Sequence, residues 1–419
     1  MELKKVLEHL KIPDAQSVLD VDWDTSQESL PAGEIPFLTP QYVTWACEAA
    51  FLPREIAQIV VSVAKRIAAD EALRALAWYC HDSLFRAKGR RIEIHKWPLL
   101  TEALGRDAGM FNVIVLLSGL PQMQAVHRAR GIPADVARET IGDLKLVLER
   151  EDYIEEMGFP GVSPRILNWL MNHWRGELYR LSRLQHIPCA FHGKVCAFRH
   201  RTKGTVVALS EEGVKYRADG QVDGAGGVFD KDKAWTATLR ITDKEIVGYP
   251  IAPVGEAVHK EVRLPASEWR QVLAPGDMVI GMHIPAGSPM AYELCGESMR
   301  KAVEFFPRYF PDKPFVALTC FSWILDAQFE KLLPPASNLV RFQREVYLFP
   351  IPAGSEGALR TVFGVKYKDW ANVRRETVMQ CAFAEHIDKG GHFRGGGCFL
   401  FPEDLNWGSQ FYRRQVLPW

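Results

Sequence analysis

Cysteine pairs, an excess of charge of either sign and a long apolar run are all missing from this chain of 419 residues. The eight cysteines, at 47, 80, 189, 196, 295, 320, 381 and 398, form no CxxC pair and make a poor disulfide framework for so long a chain, which predicts a reducing cytoplasm. Lys plus Arg and Asp plus Glu number 51 each, so no overall field draws the chain to nucleic acid or an anionic membrane. The most apolar stretch, Met110 to Leu117, is broken by Asn112, is far too short to span a bilayer and predicts a buried helix. The N-terminal MELKKVLEHLKIPDAQ lacks the uninterrupted apolar core of a signal peptide, so no export is expected. A Walker phosphate-binding loop, a GxGxxG after a strand, HExxH and GxSxG are absent too, which removes several common enzyme classes.

What is present is an ordinary globular composition, 47 % apolar and 24 % charged, on a chain long enough for two domains or three. From Leu38 to about Glu151 apolar residues recur at three- and four-residue spacing, with breaks at Pro53, Pro98, Pro121 and Pro133. Asp70 can cap a helix carrying Leu73, Leu76, Ala77 and Cys80, and Gly131 with Pro133 separates two later helices. The segment EDYIEEMGFPGVSP predicts a linker ending at the cap pair Ser163 and Pro164, before a helix with Ile166, Leu167, Leu170, Trp174, Leu178 and Leu181 on one packing face.

From about Gln185 the period becomes alternating, through VCAFRHR, TVVALS, VKYRAD, TATLRIT and EIVGYPI, which predicts an antiparallel meander. A short helix around Glu268 to Leu273 follows, then a strand from Met278 to Ile284, a helix ending near Phe306, a strand Phe315 to Phe321, a helix from Asp326 to Leu333, a strand Glu345 to Phe349 and a late helix Glu376 to Ile387. The fold class is α+β or mixed α/β, with a helical domain over 1–150 and a second domain over 151–419.

The stretch Gly276 to Phe306, GDMVIGMHIPAGSPMAYELCGESMRKAVEFF, carries the most functional information. An apolar strand that runs through a Gly/Pro elbow into a helix presents backbone amides and the positive end of a helix dipole, which suits a phosphate group.

The order of meander, strand, elbow, helix, strand, helix, strand resembles the general N-acyltransferase (GNAT) fold. The strings VIGMHIPAGSPM, ESMRKAVEFFPRYFP, FVALTCFSWILD and LPPASNLVRFQ look like the GNAT-like C-terminal domain of a bacterial acyltransferase family that pairs it with a helical N-terminal domain. The resemblance implies a mostly antiparallel, partly splayed sheet, an acyl-coenzyme A thioester as co-substrate and a small-molecule amine as acceptor. Pantetheine would then lie along Met282 and Ile284, and pyrophosphate at Ala286, Gly287, Ser288 and Met290. The usual GNAT elbow reads R/Q-x-x-G-x-G/A; AGSPMA offers one glycine, and Pro289 removes an amide.

Acyl transfer to an amine needs a base, a donor to the developing oxyanion and an acid for the leaving thiolate. His283, at the strand end beside the elbow, is the first choice as base, with a simple hydrogen bond to a neighbouring carbonyl as the alternative role. Glu293, Glu297 and Ser298 stand at the helix start, where a carboxylate or a capping hydroxyl is favoured. The family's usual acid is a Tyr on the helix after the second crossover strand; the helix expected from Asp326 to Leu333 has none, which leaves Tyr347 and Tyr292 as substitutes. Cys320 would be a nucleophile if His283 on the adjacent strand served it, or else a small core hydrophobe. Trp323 follows it closely, and Ser337, Asn338, Arg341 and Gln343 either line the acceptor site or cap a turn.

Cys189, His192, Cys196 and His200 are zinc-type ligands, but positions four apart on an extended strand stand about 13 Å apart at ~3.3 Å per residue, so only a tight turn at His192 to Lys194 would unite them, and no metal is expected. FRHRTKG, Arg374 with Arg375, and Arg413 with Arg414 are local basic clusters that either meet the terminal phosphate of coenzyme A or are solvated surface. The leading expectation is an acyl-CoA dependent N-acyltransferase. A GNAT-shaped binding module without activity and a Cys320-dependent acyl transfer are the alternatives.

Overall fold

A computed structural model of the chain describes residues 1–86, 92–285, 287–354 and 356–419. It divides into two compact units, Met1–Arg180 with Pro285–Ser288, and Leu181–Ile284 with Pro289–Trp419. The first unit is helical, and two of its helices begin where the sequence places caps. Asp70 accepts the Leu73 amide at the start of Glu71–His81, and Ser163 accepts that of Ile166 with Pro164 in the first turn. Gly131 closes Leu120–Arg130 in the left-handed conformation at φ 69°.

The apolar run lies in Ala108–Ser118, every residue of which is buried. The longer stretch Thr101–Arg130 is long and apolar enough to cross a membrane, yet 72 % of its most apolar window is buried inside the protein. Gly109 and Gly161 explain part of that close packing, since a Cβ on Gly109 would come within 2.8 Å of the Gly161 Cα.

The unit also takes in the segment read as a linker, because Glu151–Met157 is helical and the helix Pro164–Trp174 packs its buried stripe into the same core. That helix stops at Trp174, so Leu178 and Leu181 belong to the chain entering the second unit's strands.

The second unit is built on a six-stranded sheet. Its strands are β1 (Tyr179–Leu181), β2 (Leu184–Ala190), β3 (Met278–His283), β4 (Leu318–Ser322), β5 (Tyr347–Pro350) and β6 (Gly396–Leu400), in the spatial order β1-β2-β3-β4-β6-β5. Only β3 and β4 run parallel; the other pairs for which a register is resolved are antiparallel. The helix Tyr292–Tyr309 forms the crossover between them.

A five-stranded sheet that includes Val195–His200 and Val206–Ser210 lies against one face, where the Tyr347 hydroxyl is bonded to the Ala208 amide and the Ile251 carbonyl. The helix Tyr292–Tyr309 covers the other face, with Ser298 bonded into β1 and β2. Two readings change here. Trp269–Leu273 is a strand paired with Val195–His200, its Trp269 ring edge-on to His200, because EWRQVL satisfies alternation as well as helical spacing. The strand β6 inserts between β4 and β5, and glycine makes the fit possible: a Cβ on Gly396 would lie 2.0 Å from the Leu325 carbonyl oxygen.

Candidate active site

The feature that sets this sheet apart is how little β3 and β4 share. Their ladder register covers Ile280–Leu318 and Gly281–Thr319, backed on the N-terminal side by bonds from the Ile280 amide to the Ala317 carbonyl and from the Val316 amide to the Met278 carbonyl. Beyond those pairs β3 stays matched to β2 as far as His283–Gln185, and β4 stays matched to β6 as far as Ser322–Gly396. Past Gly281 and Thr319 each strand is paired with its outer neighbour and no longer with the other, which leaves a gap in the ladder, termed the mouth below. Parallel strands that stop pairing leave main-chain groups for a ligand to use.

Strand alternation sorts the lining residues onto two faces. Gly281, His283, Thr319 and Phe321 share the face toward the second sheet, together with Phe349, which pairs opposite Gly397 alongside Phe321. Phe321 remains 43 % exposed although its ring lies 6.1 Å from Phe191 and 5.7 Å from Phe349, so the mouth has an open, apolar, aromatic side. His283 is half-buried on this face. Thr319 is buried, and its hydroxyl has no hydrogen-bond partner among the described residues.

Met282, Cys320, His186 and Ser298 belong to the opposite face, under the helix. Burial pushes the Cys320 thiol up to about 12, and alternation turns it away from His283, so it lacks the basic partner a thiolate needs. The cysteine is a core hydrophobe facing Cys398 across the ladder.

His186, which sequence reasoning passed over, is completely buried. Ser298 gives its proton to the Leu181 carbonyl and accepts the Leu184 amide, so the His186 Nε2 hydrogen is directed to Ser298 Oγ at 2.9 Å. Nδ1 is then the bare nitrogen, and it has no partner among the described residues. Burial first, and the neighbouring His283 charge second, lower its pKa to about 3, so it stays neutral. Nothing in RLQHIPCA distinguishes such a histidine from any other strand residue.

The remaining predicted residues scatter. Tyr347 is fully buried and locked by Ala208 and Ile251, with its hydroxyl pushed well above the usual phenol range, so it is not placed to protonate a thiolate. Glu293 is exposed, and its own backbone amide and then Arg341 hold its carboxyl below the usual range, so it answers the helix dipole. Tyr292 donates to buried Glu345 at 2.7 Å and lies under the Arg341 guanidinium at 3.7 Å, which anchors the helix start.

Ile284 is half-buried and Met290 buried, while Gly287, at φ 105°, and Ser288 are exposed; Ala286 lies outside the described residues. The helix N-cap is Ala291, whose side chain caps nothing. Trp323 packs edge-on against Phe329 and Phe383. Asn338 is the exposed first residue of Asn338–Glu345, behind the Ser337 cap.

Cys189 lies on the strand Leu184–Ala190 and His192 in the connection after it, while buried Cys196 and His200, whose Nδ1 accepts the Lys203 amide, lie on Val195–His200 of the other sheet. Among the described residues no group of three or more His, Cys, Asp or Glu is placed to hold a metal. Of the basic clusters, Arg199 is bound bidentately by Asp404, Arg375 is paired with Asp388, and Arg413 meets Glu330 through one guanidinium nitrogen.

Residues 178–400 match the GNAT-like C-terminal domain family, and residues 43–176 match the N-acyltransferase N-terminal domain. The chain belongs to this GNAT-like acyltransferase family. Its fold is similar to solved acyltransferases. One, a mutant in complex with octanoyl-CoA, has a TM-score of 0.65 and 20 % identity over 96 % of this chain and 99 % of its own. Another, in complex with decanoyl-CoA and teicoplanin, has a TM-score of 0.63 and 20 % identity over the same shares. No curated protein matches the chain. In this GNAT-like acyltransferase the two family matches meet between 176 and 178, close to where the compact units divide.

Proposed function

We propose that this acyltransferase moves an acyl group from a coenzyme A thioester to the amine of a small molecule, with the β3–β4 mouth as the thioester site. The observation that carries the reading is the two-pair register of β3 and β4, with His283 and the exposed Phe321 on the open face. Family membership supports it, as do the acyl-CoA complexes of the structural relatives, one of which holds teicoplanin beside decanoyl-CoA.

In the step proposed, His283 takes a proton from the acceptor ammonium, the freed nitrogen forms a bond to the thioester carbonyl carbon, and the carbon–sulfur bond breaks. The products are an amide and coenzyme A, whose thiolate takes up a proton. His186 does not compete for that proton, because burial keeps it neutral. The aromatic side formed by Phe191, Phe321 and Phe349 suits an acyl chain. The eight free cysteines fit a reducing compartment such as the cytoplasm.

The test is a paired measurement on the full chain. Decanoyl-CoA should raise the melting temperature of both the parent and His283→Ala, while thiol release with a primary amine acceptor falls roughly a hundredfold in the variant. Absence of any melting shift at millimolar decanoyl-CoA overturns the reading, and full turnover by His283→Ala removes the base.

A further inference from the structure

Thr319 occupies the last position at which β3 and β4 still face each other. It is 1 % exposed, and its Oγ1 is a buried hydroxyl without a partner among the described residues. A threonine side chain ordinarily finds a backbone carbonyl, and leaving it unmatched in the interior is unfavourable. Its neighbour across the register is Gly281, which has no side chain to offer, and Phe399 on the other flank is apolar. The hydroxyl shares a sheet face with His283 and Phe321, the face on which the mouth is open.

We infer that Thr319 is a hydrogen-bond donor to the thioester carbonyl oxygen of the acyl-coenzyme A held in the mouth, a role that strengthens as negative charge gathers on that oxygen. The inference rests on the reading of the mouth as the thioester site. The position favours this atom of the ligand. The strands part from Gly281 and Thr319 outward, so an extended tail entering from the elbow reaches the closed end last. His283 stands two residues further toward the elbow, about 6.6 Å along the strand, so the hydroxyl and the imidazole bracket a carbonyl and its attacking nitrogen. The hydroxyl keeps its proton throughout. It stabilises the tetrahedral oxyanion and lets the carbonyl re-form as the thiolate departs. In the ligand-free chain the hydroxyl is sealed from solvent and unmatched, and the seam at Gly281 and Thr319 has to widen around the ligand for the carbonyl oxygen to reach it.

Thr319→Val and Thr319→Ser, in the full chain, test this. Valine preserves the branched shape but deletes the hydroxyl, so the ligand-free protein should melt at the same temperature or higher, because an unmatched polar group has been removed. Decanoyl-CoA should still raise its melting temperature, and kcat for thiol release with a primary amine should fall roughly a hundred- to a thousandfold, the size of a lost oxyanion donor. Serine should restore most of that loss. Unchanged kcat in Thr319→Val overturns the inference, as does a variant whose melting temperature drops and whose activity serine does not restore. Failure of the parent itself to bind decanoyl-CoA would instead overturn the reading of the mouth.

Discussion

Ser298 Oγ accepts the His186 Nε2 hydrogen at 2.9 Å while passing its own proton to the Leu181 carbonyl, and so ties the helix Tyr292–Tyr309 to β1 and β2. The Leu184 amide completes the junction at 3.2 Å. Removing the hydroxyl strands buried donors and an acceptor at once. Ser298→Ala should therefore cost about 2 kcal/mol or more of stability, read from urea unfolding midpoints at constant slope.

The neutral histidines make stability depend on pH in one direction. His186 is lowered to about 3, and His81 and His127 to about 4, each chiefly by burial. Between those values and the ordinary 6.5 the unfolded chain binds protons that the folded chain refuses, so stability falls as pH drops below about 6.5 and levels off near pH 3. Urea midpoints measured from pH 7 to pH 4 should decline. The double variant His81→Leu, His127→Leu should flatten the slope, and a decline as steep as the parent's would assign it elsewhere.

Glu293 puts a carboxylate at the helix start, where the proposed function would bring a phosphate. Its neutralisation in Glu293→Gln should lower KM for coenzyme A esters roughly two- to threefold at low salt with kcat unchanged, an effect that fades as salt screens the dipole. A higher KM would show that the Glu293–Arg341 pair positions the ligand.

Thiol chemistry separates packing from reactivity. Cys381 is exposed and Cys189 partly so, whereas Cys47, Cys80, Cys196, Cys295, Cys320 and Cys398 are buried. A disulfide reagent at pH 8 should label Cys381 in the first fast phase and Cys189 more slowly, and reach the others only on unfolding. Cys320→Ala should retain turnover at moderately reduced stability; loss of turnover in a folded Cys320→Ala protein would revive the thiol mechanism.

The periodic parts of this fold were legible in the sequence. Caps at Asp70 and Ser163, the buried run from Met110 and the strand from Met278 all follow from local spacing and stand where that spacing puts them. The insertion of β6 was not legible, because GGGCFL is too short to show alternation and its glycines serve contacts with Leu325 and Phe349 that are distant in sequence. Of the candidate site, the strand that carries His283 was legible from the strand–elbow pattern, whereas the burial of Met282 on the helix-covered face was not. His186 and Thr319 were not, since what marks them is an unmatched atom after packing, a property no spacing encodes. Cys320 and Tyr347 misled for the converse reason: their chemistry reads identically whether the side chain is open to ligand or sealed in the core.

The six strands form two halves, β1–β2–β3 and β4–β6–β5, stitched over the short stretch from Met278 and Val316 to Gly281 and Thr319. A seam that short is a ready-made flexure: amide hydrogens flanking it should exchange with solvent sooner than those deep in either half, and widening or narrowing of the sheet will concentrate there. Under the proposed function, the width offered to an acyl tail would follow from how far the two three-stranded halves tilt about that seam.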